Sequence, residues 1–263
     1  NMVTTVRAVL IVTAIIPLVI CLLRLYVRWF VVQWFGWDDV FVIPALVCVL
    51  GWHAVAIVET FYGLGRHMWD IPPASLRLWY KEFFVLQVIY LSVSSLMKTS
   101  VILFLMRIFA EVRNVNVVCK GLVVFLVAFT IAGTLVITFQ CKPIRAAYTP
   151  GLSGSKCFTP NTLFGIFLFQ AVTMFVTDVI ILILPMPHLV KLKLPFKKRI
   201  GVIILFSLGF IATIAALVRF STLAFFKGKI DYTYTSSISH IWMGIEFSIG
   251  LTTASLPSLR PII

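Results

Sequence analysis

Five ionisable residues stand where a charge is hardest to keep. Lys98, Asp178, Arg219 and Glu246 lie well inside long apolar stretches, and Glu59 lies nearer the end of another. An unpaired charge at the middle of a bilayer costs about 2.5–3.5 kcal/mol even on the lenient insertion scale, and four would cost on the order of 10 kcal/mol. That is comparable with the whole stability of a folded domain, so these groups are expected to pair within a bundle. Paired, they could fix helix register, form a bistable lock or line a polar ligand pocket. A buried carboxyl among Glu59, Asp178 and Glu246 could also protonate an apolar substrate. Cys141 and Cys157 bracket a polar loop and could bridge it. Metal chemistry has little support: His67 and Asp70 sit three apart with Cys157 on the same side, and no ligand cluster has metal spacing. No phosphate loop, Ser–His–Asp set or dinucleotide fingerprint occurs.

The elements that must position these residues follow from composition. Of 263 residues, 61% are hydrophobic and only 12% charged, with a mean hydropathy of +1.07. A soluble domain carries roughly a quarter charged residues, so most of this surface faces lipid. The net charge of +13 does not mark a nucleic-acid binder, because the basic residues fall between apolar spans and form no single patch. A crossing helix needs about 20 apolar residues. Seven segments qualify: 8–29, 39–62, 82–109, 115–140, 161–187, 200–226 and 238–258. The chain is therefore read as one all-α, seven-helix transmembrane domain over 1–263. Residues 8–29 are too long and too aromatic at their end for a cleaved leader. Asp39 is expected to cap the second helix, and Gly63-Leu64-Gly65-Arg66-His67 to end it. Pro17 and Pro44 are isolated kink candidates.

Orientation rests on two signals. Basic residues divide almost evenly between the two sides, but Lys191, Lys193, Lys197, Lys198 and Arg199 crowd the short fifth loop, and short basic loops stay cytoplasmic. A Cys141–Cys157 bridge would place the fourth loop on the oxidising, exoplasmic side. Both put the amino end outside and the carboxyl end in the cytoplasm. Depth along the alternating spans then suggests a Lys98–Asp178 pair and an Arg219–Glu246 pair, with Glu59 a competing acid for Arg219.

Several motifs recur in a familiar order: Arg24-Leu25-Tyr26-Val27-Arg28, Gly36-Trp37-Asp38-Asp39, Gly63 to His67, Met97-Lys98-Thr99-Ser100, Arg107-Ile108-Phe109, Phe139-Gln140-Cys141-Lys142-Pro143, Asp178 to Pro187, Phe206-Ser207-Leu208-Gly209, Glu246, and Leu256 to Pro261. In that order and spacing, from about Arg24 to the last residue, the chain resembles the fungal rhodopsin-domain family of seven-helix membrane proteins. The resemblance implies a filamentous-fungus protein with an exoplasmic amino end. It also implies kinship with receptor-like proteins of plant-pathogen surface sensing and with others encoded near secondary-metabolite pathways. One departure is Tyr148, where the family usually has a tryptophan after the Cys-x-Pro.

The family name invites retinal, but a retinylidene pigment needs a lysine in its last helix and residues 238–258 contain none. No cofactor is expected. The leading reading is a receptor-like plasma-membrane protein that senses a small apolar or amphipathic cue, with the fifth loop facing a cytosolic signalling partner or anionic lipid. The alternative is a cofactor-free membrane enzyme, a cyclase or isomerase of a metabolite pathway using a buried acid. The Asp-Arg-Tyr and Asn-Pro-x-x-Tyr switches of animal receptors are not found, so coupling to a G protein is an analogy from helix count. Transport would favour broken helices in paired halves, and no such repeat is visible.

Overall fold

In the computed structural model, the structure describes residues 1–33, 36–149, 151–187, 207, 209–211, 213–218 and 231–256. Each long helix begins or ends where the chain loses a donor or gains a turn former. α1 (Val3–Tyr26) continues through a π-helical stretch, Val27–Val32, and stops at Gln33 in the left-handed region. α2 (Trp37–Tyr62) starts after Gly36 and ends at Gly63, whose φ of 141° a side chain would resist. α3 (Pro73–Ile108) opens with Pro73, which needs no N–H partner in a first turn. α4 is Arg113–Thr138. α5 (Pro160–Ile183) has Thr159 as its cap, the hydroxyl accepting from the Thr162 N–H at 3.2 Å. A short apolar segment, Gly209–Val218, is α6. α7 (Tyr232–Ser255) is capped by Asp231.

Among the described residues, five helices are long and apolar enough to cross a membrane: α1 with its π-helical extension, α2, α3, α4 and α5. The outer faces of α1, α2, α4 and α5 carry exposed Ile, Val, Leu and Phe, as lipid contact requires. Three spans start several residues earlier than the sequence reading has them, and the first begins at Val3, not at residue 8. The third begins at Pro73, not at residue 82. At 1.5 Å per residue, its 36 residues reach about 54 Å, well beyond a hydrocarbon core of ~30 Å. The exposed Arg77 and Lys81 occupy the overhang, and α3 is the central span, with 67% of its apolar window buried. The last span begins at Tyr232, not 238, and is less apolar than the five others. It packs against α1, α2 and α3, and its buried face is mostly Thr and Ser with His240 and Glu246, Phe247 and Leu251 being its large apolar members. Small hydroxyl side chains let helices approach closely and bond across. Gly244 shows how closely: a Cβ there would lie 3.2 Å from Leu10 and Thr13 and 3.4 Å from His53. Of the expected 200–226 span only parts of 207–218 are described.

The chain alternates direction, so the bundle has two faces. One holds the start of α1, the α2–α3 loop, the α4–α5 loop and the start of α7. There β1 (Cys141–Lys142) pairs antiparallel with β2 (Lys156–Cys157), and the expected Cys141–Cys157 disulfide joins them. This is the disulfide face. The other holds the ends of α1, α3 and α7 and the start of α2.

Candidate functional site

The sharpest electrostatic feature sits at that second face. Asp39, wholly buried, accepts from Arg24 Nε at 2.9 Å and lies 2.8 Å from Arg24 Nη2. Arg28 Nε stands 3.6 Å from the same oxygen, and Arg107 Nη1 stands 3.8 Å from the other. Arg24, itself wholly buried, also donates from Nη1 to the Ala254 carbonyl. Asp39 further accepts the Gly36 N–H at 3.0 Å, so it caps α2 from the third helical position, not as the flanking residue the sequence suggested. One carboxylate thus ties the ends of α1, α3 and α7 to the start of α2. A buried charge is tolerable only when paired and hydrogen-bonded. Asp39 is both.

Deeper in the bundle, the structure brings Lys98 and Asp178 together. The ammonium contacts Asp178 Oδ1 and the Met174 carbonyl, the latter at 3.3 Å. Glu59 goes elsewhere than the sequence suggested. Its Oε2 lies 3.2 Å from Nε2 of His240. His240 donates from Nδ1 to the Ser236 carbonyl at 2.7 Å. With that proton committed, two forms of the pair are neutral overall: a carboxylic acid facing a neutral ring, or a carboxylate facing an imidazolium. Both states leave the pair with zero net charge, which is what its burial demands. Glu246 is also buried, on α7. Arg219 and the basic residues Lys191, Lys193, Lys197, Lys198 and Arg199 lie outside the described residues, so the Arg219–Glu246 pairing does too.

Above the Glu59–His240 pair a cavity of about 460 Å³ opens between α2, α3, α5 and α7 toward the disulfide face. His240 lines its floor beside Trp52, which stacks on the imidazole at 5.7 Å between centroids. The volume lies in the range of ordinary small-molecule pockets. At its rim, Asp231 clamps the α2–α3 loop: Oδ2 meets His67 Nδ1 at 2.6 Å, and Oδ1 accepts the Met68 N–H at 3.1 Å. The His67 ring lies between Trp69 and Tyr234. Partial burial tends to raise the Asp231 carboxyl, but the bonds from His67, Met68 and Tyr234 outweigh it and hold the group below its ordinary range. His67 therefore engages Asp231 and not Asp70. Among the described residues, no group of three or more His, Cys, Asp or Glu converges on a metal site.

Residues 23–263 match the profile of the fungal rhodopsin domain. The chain belongs to the fungal rhodopsin domain family. It is accordingly an integral, multi-pass membrane protein. It is 26% identical over 229 residues to a SAT4 family membrane protein of Emericella nidulans, covering 85% of this chain and 56% of that one. It is 24% identical over 262 residues to fugralins biosynthesis cluster protein 2 of Gibberella zeae, covering 97% and 64%. It is 28% identical over 187 residues to receptor GIN3 of Arthrobotrys oligospora, covering 70% and 43%. The chain thus spans 43% to 64% of the length of these relatives.

Proposed function

We propose that this member of the family is a receptor-like plasma-membrane protein that senses a small apolar or amphipathic molecule. In this reading it crosses the bilayer seven times, with the disulfide face outside and Lys191 to Arg199 turned toward a cytosolic signalling partner. One observation carries the reading: α2, α3 and α7, which line the cavity toward the disulfide face, are tied together at the opposite face by the Asp39 cluster. A ligand that spreads or draws in those helices at one end must load the arginine contacts at the other. Packed interfaces of this kind switch between discrete arrangements instead of deforming smoothly. The similarity to receptor GIN3 supports the same class.

Spin labels at the exposed Phe30 and Ala110 positions would report the separation of the α1 and α3 ends. Asp39→Asn is expected to broaden and lengthen that distance, and the cavity-filling Ala171→Trp to shift it in the same chain with Asp39 intact. An unchanged distance for both variants refutes the sensor.

A second reading is a cofactor-free enzyme, favoured by the Glu59–His240 pair beneath the cavity and by the biosynthetic-cluster name of the Gibberella relative. There the pair would deliver a proton to an apolar substrate as general acid. Turnover of a pathway intermediate by the purified protein without partners, abolished by Glu59→Gln, would favour it over sensing.

A further inference from the structure

The cavity wall is mostly apolar, with polar groups set into it, among them Asn161, Ser236 and Ser239. Phe83, Tyr90, Phe164 and Phe167 supply flat aromatic area from α3 and α5. Gln87 and Gln170, on the same two helices, supply amides. Gln170 is only 6% exposed. Its Nε2 reaches the Gly133 carbonyl at a long 3.4 Å, and its Oε1 meets no partner among the described residues. Gln87, half-buried, makes no hydrogen bond among the described residues. Neither amide is sealed inside the protein; both open onto the cavity, so a ligand that offered them no partner would leave them unsatisfied at a cost, and one that bonds both replaces the water that would otherwise sit there.

Charge narrows the ligand further. No Lys, Arg, Asp or Glu among the described residues lines the cavity. His240, the one lining group that could become a cation at neutral pH, is bonded to Ser236 through Nδ1 and turns Nε2 toward the Glu59 carboxyl at 3.2 Å, so any charge it gains already has its counter-charge. An ionised ligand would enter this space without a counter-charge, at the penalty of an unpaired buried ion. We propose that the cavity takes an uncharged amphipathic ligand, its apolar body among the aromatic rings and its one neutral polar group (ketone, hydroxyl or amide) held by Gln87 and Gln170. The proposal rests on the sensing reading for its purpose, but not for its chemistry. A free signal molecule and a neutral bilayer lipid share that chemistry.

Two dyes with one ring system test it: neutral propionyl(dimethylamino)naphthalene and the anionic dimethylaminonaphthoate. The full chain is reconstituted in lipid nanodiscs, and bound dye is counted by mass spectrometry against empty nanodiscs. The neutral ketone is expected to bind at least about tenfold more tightly than the carboxylate, which would be buried without a counter-charge. Gln170→Leu and Gln87→Leu are each expected to weaken the ketone about five- to tenfold, the worth of one buried hydrogen bond. Gln87→Lys, at a half-buried position, is expected to narrow or reverse the preference. Equal binding of the two dyes, or Gln variants that fold and bind the ketone as tightly as the parent, overturns the proposal. Native mass spectra separate the sources. A co-purifying neutral lipid displaced by the ketone supports the assignment with a bilayer occupant, and an empty cavity that binds the ketone supports it with a free one. A tightly held phospholipid that blocks the ketone overturns it. Dye selectivity with an immobile Phe30–Ala110 distance would leave this ligand class and remove the sensor; a moving distance without selectivity would do the reverse.

Discussion

Lys98→Met keeps the length of the side chain and deletes its charge, leaving Asp178 opposite an apolar methyl. The Lys98 side chain is 6% exposed and that of Asp178 is 22% exposed. Breaking a buried ion pair by removing one partner costs about 3–5 kcal/mol. The residual exposure of Asp178 argues for the lower end, about 3 kcal/mol, which is roughly a hundredfold in the folded population. The contact from the lysine to the Met174 carbonyl is lost as well, but Met174 Oxygen belongs to helical backbone and keeps its acceptor role there. Adding Asp178→Leu removes the orphaned carboxylate and returns the site to a neutral, apolar contact, within about 1 kcal/mol of the parent. The double variant is therefore expected to recover about 2–3 kcal/mol relative to Lys98→Met alone, the non-additivity of residues in direct contact. Folded yield by fluorescence-detected gel filtration, followed by unfolding in graded denaturing detergent, measures all four corners of the cycle. A single variant costing under about 1 kcal/mol, or a double variant no better than the single, refutes the idea that this pair is held by mutual need.

Three further outcomes follow from the packing. Gly244→Val pushes carbon into Leu10, Thr13 and His53 and is expected to destabilise the α1–α7 contact by about 1–3 kcal/mol, seen as a lower Tm with Gly244→Ala intermediate. Cys141 and Cys157 are expected to resist alkylation until reductant is added; replacing both by Ser should cost about 3 kcal/mol by the loop-entropy argument, read in the same unfolding titration. The Asp231 clamp is pH-dependent with a definite sign. A carboxyl held below its usual value stabilises above the unfolded pKa, near 3.8, and that contribution is lost as pH falls through the folded value. The protection factor of the Met68 amide should therefore fall in acid as the pH drops through that region, and Asp231→Asn should flatten the profile.

How much of this was legible in the sequence depends on what each residue's neighbours are. Apolar runs longer than a bilayer announce helices whatever they touch, so α1 to α5 were plain, as was the loop bracketed by Cys141 and Cys157. Depth along alternating spans was enough to suggest Lys98 for Asp178, because both lie far from any end. Asp39 was opaque: beside Gly36 it reads as a helix cap, and Arg24, Arg28 and Arg107 read as interface anchors. Only their lateral approach reveals one cluster, although Arg24 and Arg28 four apart already share a helix face. His240 was missed as a partner for Glu59 because the last span was started at residue 238, which put it at a membrane edge. The hydroxyl-rich turn before it hid six more helical residues. The cavity is a property of how α2, α3, α5 and α7 diverge, and no local pattern encodes that.

In the sensing reading, the cavity and the arginine cluster are two ends of one switch. Binding coupling is reciprocal: if occupancy of the cavity loads the Asp39 contacts, releasing those contacts must change affinity at the cavity by the same factor. The direct measurement is the affinity of the neutral naphthalene ketone for the parent chain and for Asp39→Asn, side by side in nanodiscs. A change of about fivefold or more, with Asp39→Asn still folded, is predicted. Identical affinities in two folded proteins would contradict the account.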